Sequence, residues 1–406
     1  MAAVELIVQL HGAAIGSLSR NDDDSTEFRL FDAYKEVYPR PVLGQRFLDE
    51  PNRVWRSRSR VPDWFSNLLP EGALREMVAR QAGVVSSREL FLLRHLGEDL
   101  PGAVRISAEP ISAPEDGELG GERRAAIDRS EEWHFSLAGV QLKFSARRDE
   151  RGLTIPVSGV GGDWIVKLPD LRYAGVPENE FATMSWARDS GIDVPNTELL
   201  DLSDVSGLPA EARSLKERQV YAIRRFDRAS EGRRVHIEDF AQVLGLYPEE
   251  KYARFNYETI ANVVAVLAGD EDLQEFLRRL VFVVASGNGD AHHKNWSLIY
   301  PDGMTARLSP AYDLVSTIQY IDNDQLALNL ARSKRWQDVS MGSFRRLARK
   351  LQRPEPAIER MTQEAVEAII GAWSRSKAEY GYTAAGVERI DRHLSTIPLF
   401  NPRSSA

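Results

Sequence analysis

The sequence predicts an α+β chain of two lobes with an added α/β subdomain at its amino terminus. Residues 133–228 mix strand patterns with one helix, and residues 229–406 are mainly helical. Strands followed by helices in such blocks indicate segregated layers rather than alternating βαβ units. Residues 107–132 are rich in Pro, Gly, Ser and acidic side chains and read as a linker or exposed loop. The piece before it, residues 1–106, is long enough for a small domain. A third observation is a spaced set of oxygen-bearing side chains, Asp290, Asn295 and Asp313, in the helical block.

In the amino-terminal piece, Val4 to Leu10 has the pattern of a strand, and Glu71 to Gln81 that of a helix beginning after Leu68-Leu69-Pro70. After the linker, Trp164-Ile165-Val166-Lys167-Leu168 reads as a strand carrying a lysine. A lysine there needs an anionic partner if it is buried. The alternative is an edge strand with Lys167 turned to solvent. Ser136 to Lys143 lies upstream and contains the single glycine Gly139. Its residues Ala138, Gly139, Val140, Gln141 and Lys143 form the natural cover for phosphates held at Lys167. Glu178 to Met184 opens a helix ending near Gly191, with Pro195 beyond. Glu180 in its first turn either pairs with Lys167 or merely favours the helix dipole. Val220 to Ile223 is a short strand leading into Arg224-Arg225-Phe226-Asp227-Arg228, either a hinge or an ordinary strand end with a charged turn.

The helical block holds the most informative segment, Gly287-Asn288-Gly289-Asp290-Ala291-His292-His293-Lys294-Asn295. The apolar run Leu280 to Ala285 before it predicts the end of a helix begun near Asp272. Gly287 and Gly289 give the backbone a sharp exit. Trp296 to Tyr300, the turn Pro301-Asp302-Gly303, and Met304 to Leu308 predict a hairpin returning Asp313 towards Asn295. Protein kinases use the order Asp, Asn, Asp: the first takes the hydroxyl proton, and the others hold Mg²⁺ on ATP phosphates. On that pattern Asp290 is the base, and Asn295 and Asp313 are the metal ligands.

Composition narrows the alternatives. Hydrophobic residues make up 43% and charged residues 28%, as in an ordinary soluble globular protein. With no cysteine, disulfides and thiolate metal sites are excluded. No apolar stretch approaches the roughly 18 residues of a membrane span, and Met1 to Leu10 lacks the basic start of a secretory signal, so a cytoplasmic protein is expected. The net charge of −8 argues against nucleic acid as the main direct partner. Arg345, Arg346, Arg349 and Lys350 fall at helical spacing and read as a solvated face. A metal-dependent hydrolase built from Asp290, His292, His293 and Asp313 is a competing reading, but adjacent histidines rarely share one metal. A kinase-fold DNA-regulatory subunit without significant activity is another.

Taken in order, these segments resemble the HipA-type serine/threonine kinases, toxins of HipBA toxin–antitoxin modules. The resemblance spans Asn67-Leu68-Leu69-Pro70-Glu71-Gly72, Pro101-Gly102-Ala103-Val104, Ser136 to Lys143, Ile165 to Pro169, Asn179-Glu180, Arg225 to Arg228, Gly289 to Asn295 and Tyr312-Asp313. It implies a phosphatidylinositol-kinase-like bilobal fold, ATP and Mg²⁺ as cofactors, Lys167 on the ATP phosphates, and nucleotide contacts from Arg224, Phe226 and His292. It also implies inactivating autophosphorylation at Ser136 and a protein substrate such as an aminoacyl-tRNA synthetase. The implied partner is a small helix-turn-helix antitoxin of the HipB type, through which operator DNA would be reached. His292 stands where the common catalytic-loop lysine would be, and Asp313 is followed by Leu314-Val315 rather than Phe-Gly.

Overall fold

The structure is a computed structural model and describes residues 4–108, 142–149, 152–155, 161–208, 212, 215–229 and 232–401. Most of the linker and the segment from Ser136 to Gln141 lie outside the described residues.

The amino-terminal unit is a five-stranded sheet with five short helices. The strands are β1 (Val4–Leu10), β2 (Ala13–Arg20), β3 (Thr26–Leu30), β4 (Trp55–Ser57) and β5 (Val104–Ser107), ordered β4-β3-β2-β1-β5. The helices are α1 (Asp32–Lys35), α2 (Gln45–Asp49), α3 (Asp63–Ser66), α4 (Gly72–Gln81) and α5 (Glu89–Leu96). His11 and Gly12 both take positive φ, 49° and 83°, which suits the two-residue turn joining β1 to β2. Alternation then turns Leu6, Val8 and Leu18 inward onto Phe28, Phe47, Trp64 and Phe65. Glu71 caps α4, so that helix starts one residue later than its sequence pattern suggests.

The second unit is a six-stranded sheet of β6 (Lys143–Asp149), β7 (Gly152–Thr154), β8 (Trp164–Lys167), β9 (Thr197–Asp201), β10 (Val205–Ser206) and β11 (Gln219–Arg224), ordered β10-β7-β6-β8-β11-β9. Its helix α6 (Val176–Asp189) has Pro177 at its start, where a missing N–H costs nothing. Phe144, Val166, Leu168, Val220 and Ala222 form the core of this smaller lobe.

The largest core lies in the helical lobe. It gathers α7 (Phe240–Leu244), α8 (Tyr257–Leu267), α9 (Gly269–Ser286), α10 (Met341–Lys350), α11 (Glu355–Ser376) and α12 (Ala384–Thr396). A small sheet of β12 (His236–Asp239), β13 (Ser297–Tyr300) and β14 (Arg307–Leu308) adjoins them. Helix α9 begins at Gly269 rather than near Asp272. The hairpin forms, but its second strand is only two residues long. Asp302 accepts from the N–H groups of Met304 (2.8 Å) and Thr305 (2.7 Å), so the turn takes donors a longer strand would have used. The stretch from 309 to 340, expected to be mostly helical, is irregular apart from short 3-10 turns, and it carries Asp313. The basic face of α10 is solvated and paired: Arg349 with Glu355 (2.7 Å), Arg345 with Glu359.

Candidate active site

The site assembles from the end of β8, the first turn of α6, the loop after α9 and the segment carrying Asp313. Lys167 ends β8 opposite Tyr221 of β11 on one side and Lys143 of β6 on the other. It is 6% exposed, so the edge-strand alternative does not apply. Its Nζ donates to Glu180 Oε1 at 2.5 Å and also to Asp313 Oδ1. Glu180 is fully buried on α6 and faces Lys167 rather than solvent. Burial pushes the Glu180 carboxyl up to about 7, against the pull of Lys167. At Asp313 burial also acts upward, but the charges of Lys167 and Lys143 outweigh it and hold the carboxyl well below the usual range. Asn179, next to Glu180, bonds the segment that carries Asp313: its side chain donates to Ser316 O and accepts from Ser316 N, both at 3.0 Å. Asp313 has a left-handed backbone, φ 54°, uncommon for a residue with a side chain.

The loop after α9 is fixed mostly by its own backbone. Gly287 ends the helix in the left-handed region, φ 62°, and its N–H returns to Val283 O and Val284 O. Gly289 N donates to Thr317 Oγ1 (2.6 Å), and that hydroxyl donates to Asp324 Oδ2 (2.5 Å). Asp290 N donates to Asn288 Oδ1 at 3.0 Å, and Asn295 Nδ2 closes the loop on Asp290 O at 2.8 Å. The Asp290 carboxylate stands at the mouth, 51% exposed, and accepts from the Tyr252 hydroxyl. Partial desolvation, helped by Asp313 and Asp324, raises its pKa against that donation and the nearby Lys251.

The two histidines part company. His293 binds Lys251 O through Nδ1 at 2.7 Å, whereas His292 Nε2 lies 4.0 Å from Asp290 Oδ1. Burial pushes His292 down to about 3, so it is neutral. Among the described residues no group of three or more His, Cys, Asp or Glu could hold a metal ion, which leaves the hydrolase reading without a ligand set. Asn295 and Asp313 offer a different donor set. Because Asn295 gives its Nδ2 to Asp290 O, its Oδ1 faces away from that bond. Tyr312 OH, bonded to Lys294 O (2.9 Å) and Ser297 Oγ (2.5 Å), holds the Asp313 segment against the Asn295 segment. A pair of protein oxygens, completed by phosphate and water, suits Mg²⁺.

Of the other sequence candidates, Lys143 is exposed beside Lys167 at the start of β6. Phe226 is half-buried with its ring 5.5 Å from that of Tyr312, and Arg224 is exposed at the end of β11. Ser136, Ala138, Gly139, Val140 and Gln141 fall outside the described residues.

Sequence reasoning gave no role to several residues that meet here. Pro101 to Val104 docks on the Arg225–Arg228 segment: Gly102 N donates to Asp227 Oδ2 (2.8 Å), and Arg228 binds Asp99 (2.9 Å) and Asp227 (2.7 Å). Asn67 to Glu71 docks on the loop after α9 and on Lys251. Asn67 O accepts from Lys294 Nζ (3.2 Å), and Glu71 reaches Lys294 (3.0 Å) and Lys251 (2.8 Å). Tyr252, with its hydroxyl on Asp290, is a third such residue, and no local pattern marks it.

Comparison with known proteins agrees with this architecture. The HipA-like C-terminal domain model matches residues 135–373, and the HipA N-terminal domain model matches residues 6–107. A Sinorhizobium fredii protein named "Putative kinase Y4dM" is 46% identical over 97% of either chain. The serine/threonine-protein kinase toxin HipA of Shewanella oneidensis is 28% identical over 64% of either chain. In fold, a solved Shewanella oneidensis complex of HipA, HipB and its operator DNA superposes with a TM-score of 0.73 at 20% identity, covering 99% of both chains. Both lobes and the amino-terminal unit thus find their counterparts in one order along one chain, and the protein belongs to the HipA family.

Proposed function

We propose that this chain is an ATP- and Mg²⁺-dependent serine/threonine protein kinase and the toxin of a toxin–antitoxin pair. The observation that carries the reading is the buried lysine Lys167 shared between Glu180 and Asp313, facing a loop in which Asn295 is locked to the backbone of Asp290. Asp290 accepts the proton of the attacking hydroxyl, which must first displace the Tyr252 hydroxyl from Oδ1. Asn295 Oδ1 and the Asp313 carboxylate hold Mg²⁺, which when bound neutralises charge on the phosphates. Lys167 and Lys143 turn to the phosphates. Arg224 and Phe226 border the adenine. A neutral His292 packs beside Asp290 without competing for its proton. Phosphate placed on Ser136 repels the incoming ATP phosphates and switches the enzyme off. The partner is a small helix-turn-helix antitoxin of the HipB type, which brings the acidic chain to operator DNA. The substrate is a protein of the translation machinery, an aminoacyl-tRNA synthetase.

The test uses purified full chain, γ-labelled ATP and Mg²⁺. Labelled phosphate should enter the protein, map to Ser136, and fall roughly 10²- to 10⁴-fold in Asp290→Ala. Expression of the parent should arrest growth unless the antitoxin is co-expressed. Undiminished labelling, or equal toxicity, in a folded Asp290→Ala chain would refute the assignment.

A further inference from the structure

The Glu71 carboxylate lies in the amino-terminal unit, outside the two lobes that build the site, yet both its oxygens are spent on the catalytic loop and its neighbour. Oε1 takes Lys294 Nζ at 3.0 Å and Oε2 takes Lys251 Nζ at 2.8 Å. Lys294 immediately precedes Asn295 and is pinned from three sides. Its Nζ also donates to Asn67 O (3.2 Å), and its carbonyl accepts from Tyr312 OH (2.9 Å), next to Asp313. Lys251 immediately precedes Tyr252, whose hydroxyl sits on Asp290, and its carbonyl takes both the backbone N–H (3.2 Å) and the ring Nδ1 (2.7 Å) of His293. One carboxylate therefore ties together the two stretches of chain that flank the base and adjoin the metal ligands.

We propose that Glu71 is a positioning residue for phosphoryl transfer: through Lys294 and Lys251 the amino-terminal unit sets the geometry of Asp290 and Asn295. The proposal rests on the kinase reading above and assigns that unit a part in the chemistry. Phosphoryl transfer depends on the placement of a few oxygens, so a small shift of this loop is costly in rate. The two units also meet through other contacts, such as Gln45 N with Glu238 (3.0 Å) and Asn67 Nδ2 with Leu246 O (2.7 Å). Arg60 with Glu249, at 2.5 Å, bridges the same units nearby and touches nothing in the loop. Burial acts to raise the Glu71 carboxyl, but Lys294 and Lys251 outweigh it and hold it down at about 2, so the clamp stays charged throughout the working range.

The experiment measures initial rates of autophosphorylation by the full chain at varied ATP, for the parent, Glu71→Gln, Glu71→Asp and Arg60→Gln, with melting curves for each. Glu71→Gln should lower the maximal rate roughly ten- to a hundredfold with KM for ATP within about twofold. Glu71→Asp, which keeps the charge, should recover part of that loss, and Arg60→Gln should match the parent. A Glu71→Gln rate within about twofold of the parent overturns the proposal. So does a loss shared equally by Arg60→Gln, or one matched by an equal rise in KM. If Glu71→Gln shows no melting transition, Glu71→Asp decides: a maximal rate more than about twofold below the parent with KM for ATP unchanged supports the clamp, and a rate within about twofold of the parent overturns it. A parent chain that transfers no phosphate rejects the kinase reading itself, and this inference falls with it.

Discussion

At the scale of single residues the site is an electrostatic compromise around Lys167. One ammonium serves two carboxylates, one fully buried at Glu180 and one half-buried at Asp313. Burying such groups is unfavourable unless each is paired, so the lysine is a structural counter-ion to both carboxylates. Lys167→Met should therefore do two things. It should abolish phosphate transfer, and it should lower unfolding free energy by about 3–5 kcal/mol, the usual effect of stripping one partner from a buried ion pair. Urea denaturation of parent and variant measures the second; equal midpoints would mean that Glu180 and Asp313 do not depend on Lys167. This trio was legible in the sequence because each member sits in a local pattern of its own: a lysine on an apolar strand, a glutamate opening a helix, an aspartate after a hairpin. Glu71, Lys251, Tyr252 and Thr317 were not. Each acquires its place only when segments far apart in the chain meet, as Thr317 does by bonding Gly289, and a one-dimensional pattern holds no trace of that.

At the scale of elements, the loop that carries Asp290 and Asn295 depends on how α9 stops. The helix is buried on nearly every side at its carboxyl end, from Arg279 to Ser286, so its exit direction is fixed by packing and cannot relax. Gly287 supplies the left-handed residue, and its carbonyl accepts from Ile318 N (3.2 Å). A Cβ there would meet the Ile318 side chain at 2.6 Å. Gly287→Ala thus combines an unfavourable backbone with overpacking and should cost about 1–3 kcal/mol. Because the displaced loop carries Asp290 and Asn295, transfer should fall further than folded fraction does. Parallel urea titrations and autophosphorylation rates check this, and a rate loss no greater than the loss of folded chain would contradict it. Helix α9 and its glycine stop were readable from the sequence because an apolar run followed by Gly is a strong signal. The irregular stretch from 309 to 340 was not, since its path is dictated by contacts such as Asn179 with Ser316 rather than by any periodicity.

At the scale of the whole molecule, the amino-terminal unit and the helical lobe are joined through β12. His236 is fully buried at this seam between the rings of Trp64 (6.3 Å) and Tyr300 (5.7 Å), with His11 at 6.4 Å. Its Nε2 pairs with Leu43 O at 2.8 Å and must carry the proton, while Nδ1 accepts from Ala103 N at 3.4 Å. A second proton has no acceptor on that side, since it would point at a donor. Burial accordingly pushes His236 down to about 4 from its ordinary 6.5, with His11 acting in the same direction and the carboxylate of Asp227 opposing. The folded chain therefore keeps His236 neutral where the unfolded chain binds a proton. Its contribution is intact above about pH 6.5 and is lost as pH falls towards 4, amounting to about 2 kcal/mol by pH 5. Burial lowers His393 and His292 in the same sense, so the parent alone cannot isolate one group. A His236→Gln chain can, because glutamine does not titrate. It should be less stable than the parent at about pH 7.5, and the gap in unfolding free energy should shrink by about 2 kcal/mol at about pH 5. A gap that stays constant between the two would show that the seam takes up its proton elsewhere.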